Sequence, residues 1–169
     1  MKKSILILAL VLLLTFGLIV QAQSKEVTES GTTTYYVTAK VLPLGDGIVY
    51  FAYEAIGANV SDTGEGLFHN ATVRALGTIT LKKTLYKDEV GKGVFYLANG
   101  DKVFFTYQYA GEIKPKGVTM GKGGGTFTGG TGKCAGIRGG YESTRYSLHP
   151  AVEGTAQSYN IMKFRYTLP

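Results

Sequence analysis

Glu54 closes an otherwise apolar and aromatic run, Ile48-Val49-Tyr50-Phe51-Ala52-Tyr53-Glu54. A carboxyl group buried at the end of such a run has its pKa raised, and it can then act as an acid or anchor a polar ligand atom. Arg74 sits on the next segment with strand-like alternation, and consecutive strands usually pair, which makes it the candidate counter-ion. Glu54 and Arg74 are therefore the candidate catalytic residues. Tyr50, Tyr107 and Tyr109 join them as candidate ligand-binding residues, offering ring faces and hydroxyls to a cavity. On this reading Glu54→Gln abolishes ligand uptake or turnover without unfolding the chain. The competing reading is an exposed ion pair at strand ends and tyrosines that are plain core.

Other chemistries find little support. His69 and His149 have no second His, Cys or carboxylate at ligand spacing, so no metal site is expected. Cys134 follows Lys133, and a lysine can lower a thiol pKa. Neighbours on a strand point apart, however, which favours a small buried Cys. The glycine-rich segment 120–140 invites two nucleotide readings. A phosphate loop needs Gly five residues before its Gly-Lys pair and Ser or Thr after it, but Phe127 and Cys134 occupy those places. Gly130-Thr131-Gly132-Lys133-Cys134-Ala135 fits the loose dinucleotide pattern, yet Gly136, Gly139 and Gly140 would break the helix that pattern requires. No cofactor is expected.

The composition sets the frame for these residues. The chain has 169 residues and a net charge of +6, with 24 Gly, 12 Tyr, 8 Phe, no Trp and one Cys. Such a chain is neither disordered, nor a coiled coil, nor a disulfide scaffold. Its bases are scattered, with no run longer than Lys82-Lys83, so a nucleic-acid partner is not expected. Met1-Lys2-Lys3 precedes an apolar run over residues 5–20. As a helix that run spans about 24 Å, short of a ~30 Å hydrocarbon core. Val20-Gln21-Ala22 then supplies a cleavage site after Ala22. Residues 1–22 are thus expected to be a signal peptide and 23–169 one exported domain, periplasmic or secreted. No stable membrane insertion is expected after cleavage; an uncleaved anchor is the alternative.

The elements that must position the candidates read as strands throughout. Residues 32–42 place Tyr35, Val37, Ala39 and Val41 on one face. Residues 48–55 form an apolar run, and 68–81 alternate well, with Gly77 suggesting a bulge or bend. Asn99-Gly100 is a hairpin signal between 92–97 and 101–113, and Val103, Phe105, Tyr107 and Tyr109 share a face. Residues 154–168 alternate Met162, Phe164, Tyr166 and Leu168 against a polar side. No helical apolar period holds over ten residues. Seven or eight strands mean a closed barrel or a sandwich, and internal glycines favour the barrel.

The glycine segment also carries a resemblance. Gly129-Gly130-Thr131-Gly132-Lys133-Cys134-Ala135-Gly136-Ile137-Arg138-Gly139 resembles the GGTGK(F/Y)AGI-G signature of secreted bacterial proteins with an allene oxide cyclase-like barrel, and a similar turn of plant dirigent proteins. Asn99-Gly100-Asp101-Lys102-Val103-Phe104, residues 68–74 and the ending Tyr166-Thr167-Leu168-Pro169 resemble other segments of that bacterial group. The resemblance implies an all-β fold, a single antiparallel eight-stranded β-barrel with an apolar cavity. It makes Gly129, Gly130, Gly132 and Gly136 a structural glycine turn. Cys134 departs from the aromatic usual at its position. No catalytic residue carries over, because those of the plant cyclase lie outside the shared turn, and fold is no warrant for function.

Three functions stay open. The first is an exported barrel that binds a small apolar or aromatic molecule. The second is a cyclase or isomerase that positions a reactive substrate in that cavity. The third is a structural or interaction protein with a packed barrel. A homo-oligomer would cover exposed aromatic strand faces in any of them.

Overall fold

β-Branched and aromatic residues alternate with small or polar ones along most of the chain, and eight strands result. The computed structural model describes residues 25–113, 119–149 and 151–169. The expected signal peptide lies outside the described residues. The strands are β1 (Glu26–Gly45), β2 (Ile48–Ser61), β3 (Ala71–Lys82), β4 (Leu85–Tyr96), β5 (Lys102–Ile113), β6 (Thr119–Gly130), β7 (Arg138–Leu148) and β8 (Ala156–Thr167). Each pairs antiparallel with the next, and β8 returns to β1 from Glu26↔Thr167 to Val37↔Ala156. The sheet is a closed barrel, which leaves no unpaired edge.

Closure depends on matching large side chains to small ones inside. Tyr53, Gly77 and Gly91 are cross-strand partners in a regular ladder. A Cβ at Gly77 or Gly91 would strike the Tyr107 hydroxyl, so the bend expected at Gly77 gives way to a glycine that makes room for tyrosines. Gly121, Gly123 and Gly125 on β6 do the same for Tyr86, Tyr109 and Tyr141. The glycine-rich composition is thus the volume complement of the aromatic one.

One end of the barrel is filled. β3 begins at Ala71 and not at residue 68, because Asn70 adopts a positive φ of 56° that breaks the alternation. Phe68 is thereby released from the strand and turns into the barrel, where it is fully buried. Its ring stacks on Phe164 at 4.2 Å and meets Phe95, Phe127 and Tyr166 at 5.2–5.6 Å. Polar groups pin this plug: Glu29 accepts the Leu67 and Phe68 N–H groups at 2.8 and 3.2 Å and the Tyr166 hydroxyl, and Asn59 Nδ2 donates to the Phe68 carbonyl at 2.7 Å.

At the same end the glycine segment forms a tight turn. Residues Gly132–Cys134 make a 3-10 turn between β6 and β7, and Gly132 has φ +53°. Asp101 Oδ2 accepts the Lys133 N–H at 3.1 Å, and a Cβ at Gly132 would collide with that carboxylate. Asp101 also follows the Asn99-Gly100 hairpin, whose Leu97 N–H reaches the Asp101 carbonyl at 2.9 Å. The two turns are therefore joined through one side chain.

Candidate functional site

Strand alternation divides the five candidate residues between two surfaces. On β2 the odd-numbered residues Phe51, Tyr53 and Ala55 face inward, and Tyr50 and Glu54 face the outer wall. Glu54 does pair with Arg74, at 2.5 Å, but with side chains 38% and 59% exposed. The inward carboxyl considered for Glu54 is placed outside by this parity. Arg74 instead borders a shallow outer groove with Tyr36, Ile56 and Tyr96. Tyr107 and Tyr109 are buried and point into the barrel.

Above the aromatic plug the barrel holds a cavity of about 330 Å³. That is near the lower end of the roughly 300–1,000 Å³ of small-molecule sites. Its walls are Tyr35 and Val37 of β1, Phe51 and Tyr53 of β2, Ile79 of β3, Tyr107 and Tyr109 of β5, and Tyr141 of β7. It extends toward the end where β1 joins β2, reaching Val41, Leu81 and Ile113.

Among the described residues, two charged ones line it, Glu89 from β4 and Arg145 from β7. Arg145 Nη1 donates to both Glu89 oxygens, at 2.8 and 2.7 Å. The guanidinium also lies 4.2 Å from the centre of the Tyr109 ring, a cation–π contact. Tyr53 donates its hydroxyl proton to Glu89 Oε1, and its oxygen lies 2.9 Å from the Tyr107 hydroxyl. With the Tyr53 proton committed to the carboxylate, Tyr107 is the donor of that second bond. A chain Tyr107→Tyr53→Glu89 therefore ends on a carboxylate held by Arg145. Deeper, Tyr109, Ser143 and Asn160 form a second cluster, with hydroxyls 2.5 Å apart and Asn160 Nδ2 3.1 Å from Tyr109.

The electrostatics follow from burial. Burial, then the Glu89 carboxylate and Tyr107, push the Tyr53 hydroxyl far above its ordinary pKa. Burial raises Tyr107 to about 12. Tyr35, Tyr109 and Tyr141 rise chiefly for the same reason. Burial alone would weaken the hold of Arg145 on its proton, but Glu89 and the tyrosines Tyr109 and Tyr53 outweigh it and hold the guanidinium charged. Among the described residues, the cavity wall at neutral pH is thus one ion pair among neutral phenols. At the plugged end Cys134 is fully buried, and burial and Asp101 push its thiol upward, away from reactivity.

No family model, no curated protein and no solved structure matches this chain. The geometry of the cavity is what its function must be read from.

Sequence reasoning missed Glu89 and Arg145. Tyr86 and Glu89 both point inward although three residues apart, because β4 carries one extra residue between them, seen as a register shift against β5. Asp88 within that bulge accepts the Thr80 N–H at 3.2 Å. Arg145 was within reach of a parity argument, since it shares the inward face of β7 with Tyr141 and Ser143.

Proposed function

We propose that this chain is an exported β-barrel that binds one small apolar or aromatic molecule. The observation that carries the reading is the aromatic-walled cavity of about 330 Å³, bounded toward the plugged end by Phe105 and Tyr141 and furnished, among the described residues, with one buried ion pair. Pockets of this kind are mostly apolar with a few placed polar groups. A solid structural barrel would need the upper half filled as the lower half is. The allene oxide cyclase-like resemblance and the N-terminal apolar run agree with the proposal, and no cofactor or nucleic-acid partner enters it. Homo-oligomerisation would serve to cover outward apolar side chains such as Ile56, Leu76 and Phe104.

The test is native mass spectrometry of the protein exported by its own host, followed by a denatured spectrum. A mature mass beginning at Gln23 with a small molecule released on denaturation supports the proposal. A clean mature mass, together with no uptake of naphthalene-sized aromatics in solution, overturns it.

A second reading, a cyclase or isomerase, is favoured by the Tyr107→Tyr53→Glu89 chain, which can hold a proton at a stated oxygen inside the cavity. It requires that a bound molecule leave chemically changed, which mass analysis of the released compound decides.

A further inference from the structure

We infer that the ligand is electrically neutral and presents an acceptor oxygen to Arg145, as a ketone or ester of an apolar skeleton does, and that carboxylates of the same shape are rejected. The inference rests on the reading of the cavity as the binding site and adds the chemical class of its occupant.

Access and charge balance carry it together. Within the ion pair, the Glu89 side chain is 1% exposed and that of Arg145 19%. Arg145 lies deep inside the barrel wall, so its accessible part faces the cavity. Nη1 makes the hydrogen bonds to Glu89, and the Tyr86 hydroxyl also lies within reach of the guanidinium, which still leaves N–H groups on Nε and Nη2 to spare as donors. Glu89 Oε1 is already occupied by Tyr53 and Arg145. The hydroxyl of Tyr86 and Oδ1 of Asn160 are both sealed from contact. A ligand reaching the pair therefore meets N–H donors and should bring an acceptor.

A guanidinium facing a cavity would ordinarily suggest an anion. Here its charge is already cancelled at 2.7 Å. Among the described residues, Glu89 and Arg145 are the only charged ones along the cavity wall, and the surrounding phenols stay protonated at neutral pH. A ligand carboxylate would place a second negative charge beside Glu89 and leave the interior with a net charge out of water. A carbonyl oxygen takes the free donors without changing that balance.

Three probes of one shape test this in the mature protein: 2-ethylnaphthalene, 2-acetylnaphthalene and 2-naphthoate, with affinities measured by calorimetry at neutral pH. The ketone should bind about tenfold more tightly than the hydrocarbon, and the carboxylate at least about tenfold more weakly than the ketone. In Glu89→Gln the positive charge is uncompensated, and the order of ketone and carboxylate should reverse. In case that variant does not fold, Glu89→Gln combined with Arg145→Met removes both charges. It should keep hydrocarbon binding and lose the ketone's advantage. Hydrocarbon binding with no preference for the ketone, or with the carboxylate tightest, in the unaltered protein overturns this inference and leaves the cavity reading standing. Failure of all three probes overturns both.

Discussion

A carboxylate that is 1% exposed must be partnered, and at Glu89 the partners are Arg145 and Tyr53. Removing one member leaves the other charge stranded, so Glu89→Ala should cost about 3 kcal/mol or more. The double replacement Glu89→Gln with Arg145→Met should recover most of that loss. Urea denaturation of the two variants measures the difference, and equal losses would show that the pair is not coupled. The contrast with Glu54 is a matter of position alone. Its ion pair with Arg74 stands in solvent on the outer wall, where such pairs contribute little. Glu54→Gln should therefore leave melting temperature and ligand uptake unchanged, the reverse of what its place at the end of an apolar run implies. Loss of uptake in that variant would mean that the outer groove beside Arg74, and not the interior, is the binding site.

Strands and turns show why some of this was legible and some was not. Side chains alternate with period 2, so Tyr35, Val37, Val103, Phe105, Tyr107, Met162 and Phe164 declare the inner face wherever the ladder is regular. The barrel follows from that pattern. The polar centre does not, because the extra residue in β4 breaks the alternation between Tyr86 and Glu89 within a charged stretch. On β7, serines and an arginine face inward while Tyr146 stacks on Tyr159 along the wall, so polarity gives the wrong sense of inside and outside. Phe68 escaped for a similar reason: one residue in a left-handed conformation, Asn70, converts the first residues of an apparent strand into a plug. Two element-scale outcomes can be checked. Gly132→Val must place a β-branched residue at φ +53° against Asp101, and should destabilise the fold by about 1–3 kcal/mol in thermal melts. Phe68→Ala empties the centre of an aromatic cluster, and should cost about 3–5 kcal/mol by urea titration. A variant as stable as the parent in either case would show that the turn or the plug is not what holds that end.

The barrel as a whole gathers Tyr35, Tyr53, Tyr107, Tyr109 and Tyr141 around its cavity, and this has a consequence for pH. A phenol with a folded pKa above its unfolded value binds its proton more tightly when folded. Its contribution is fully present below the unfolded pKa of 10.0 and declines as pH rises toward the folded value, about 12 for Tyr107. Tyr35, Tyr53, Tyr109 and Tyr141 act in the same direction. Stability should be insensitive to these groups up to about pH 10 and then fall by about 1.4 kcal/mol per pH unit for each coupled tyrosine. Urea midpoints read between pH 8 and pH 12 alongside tyrosinate absorbance test this. Tyrosinate appearing well before the loss of structure would show that the phenols titrate in place.

Among the described residues, the aromatic plug around Phe68 fills one end of the barrel, so the proposed ligand would enter and leave by the other. A newcomer cannot arrive behind an occupant and displace it, so turnover of the contents must proceed through an empty intermediate. The rate at which a bound molecule escapes would then be its own property, indifferent to how much competitor waits outside.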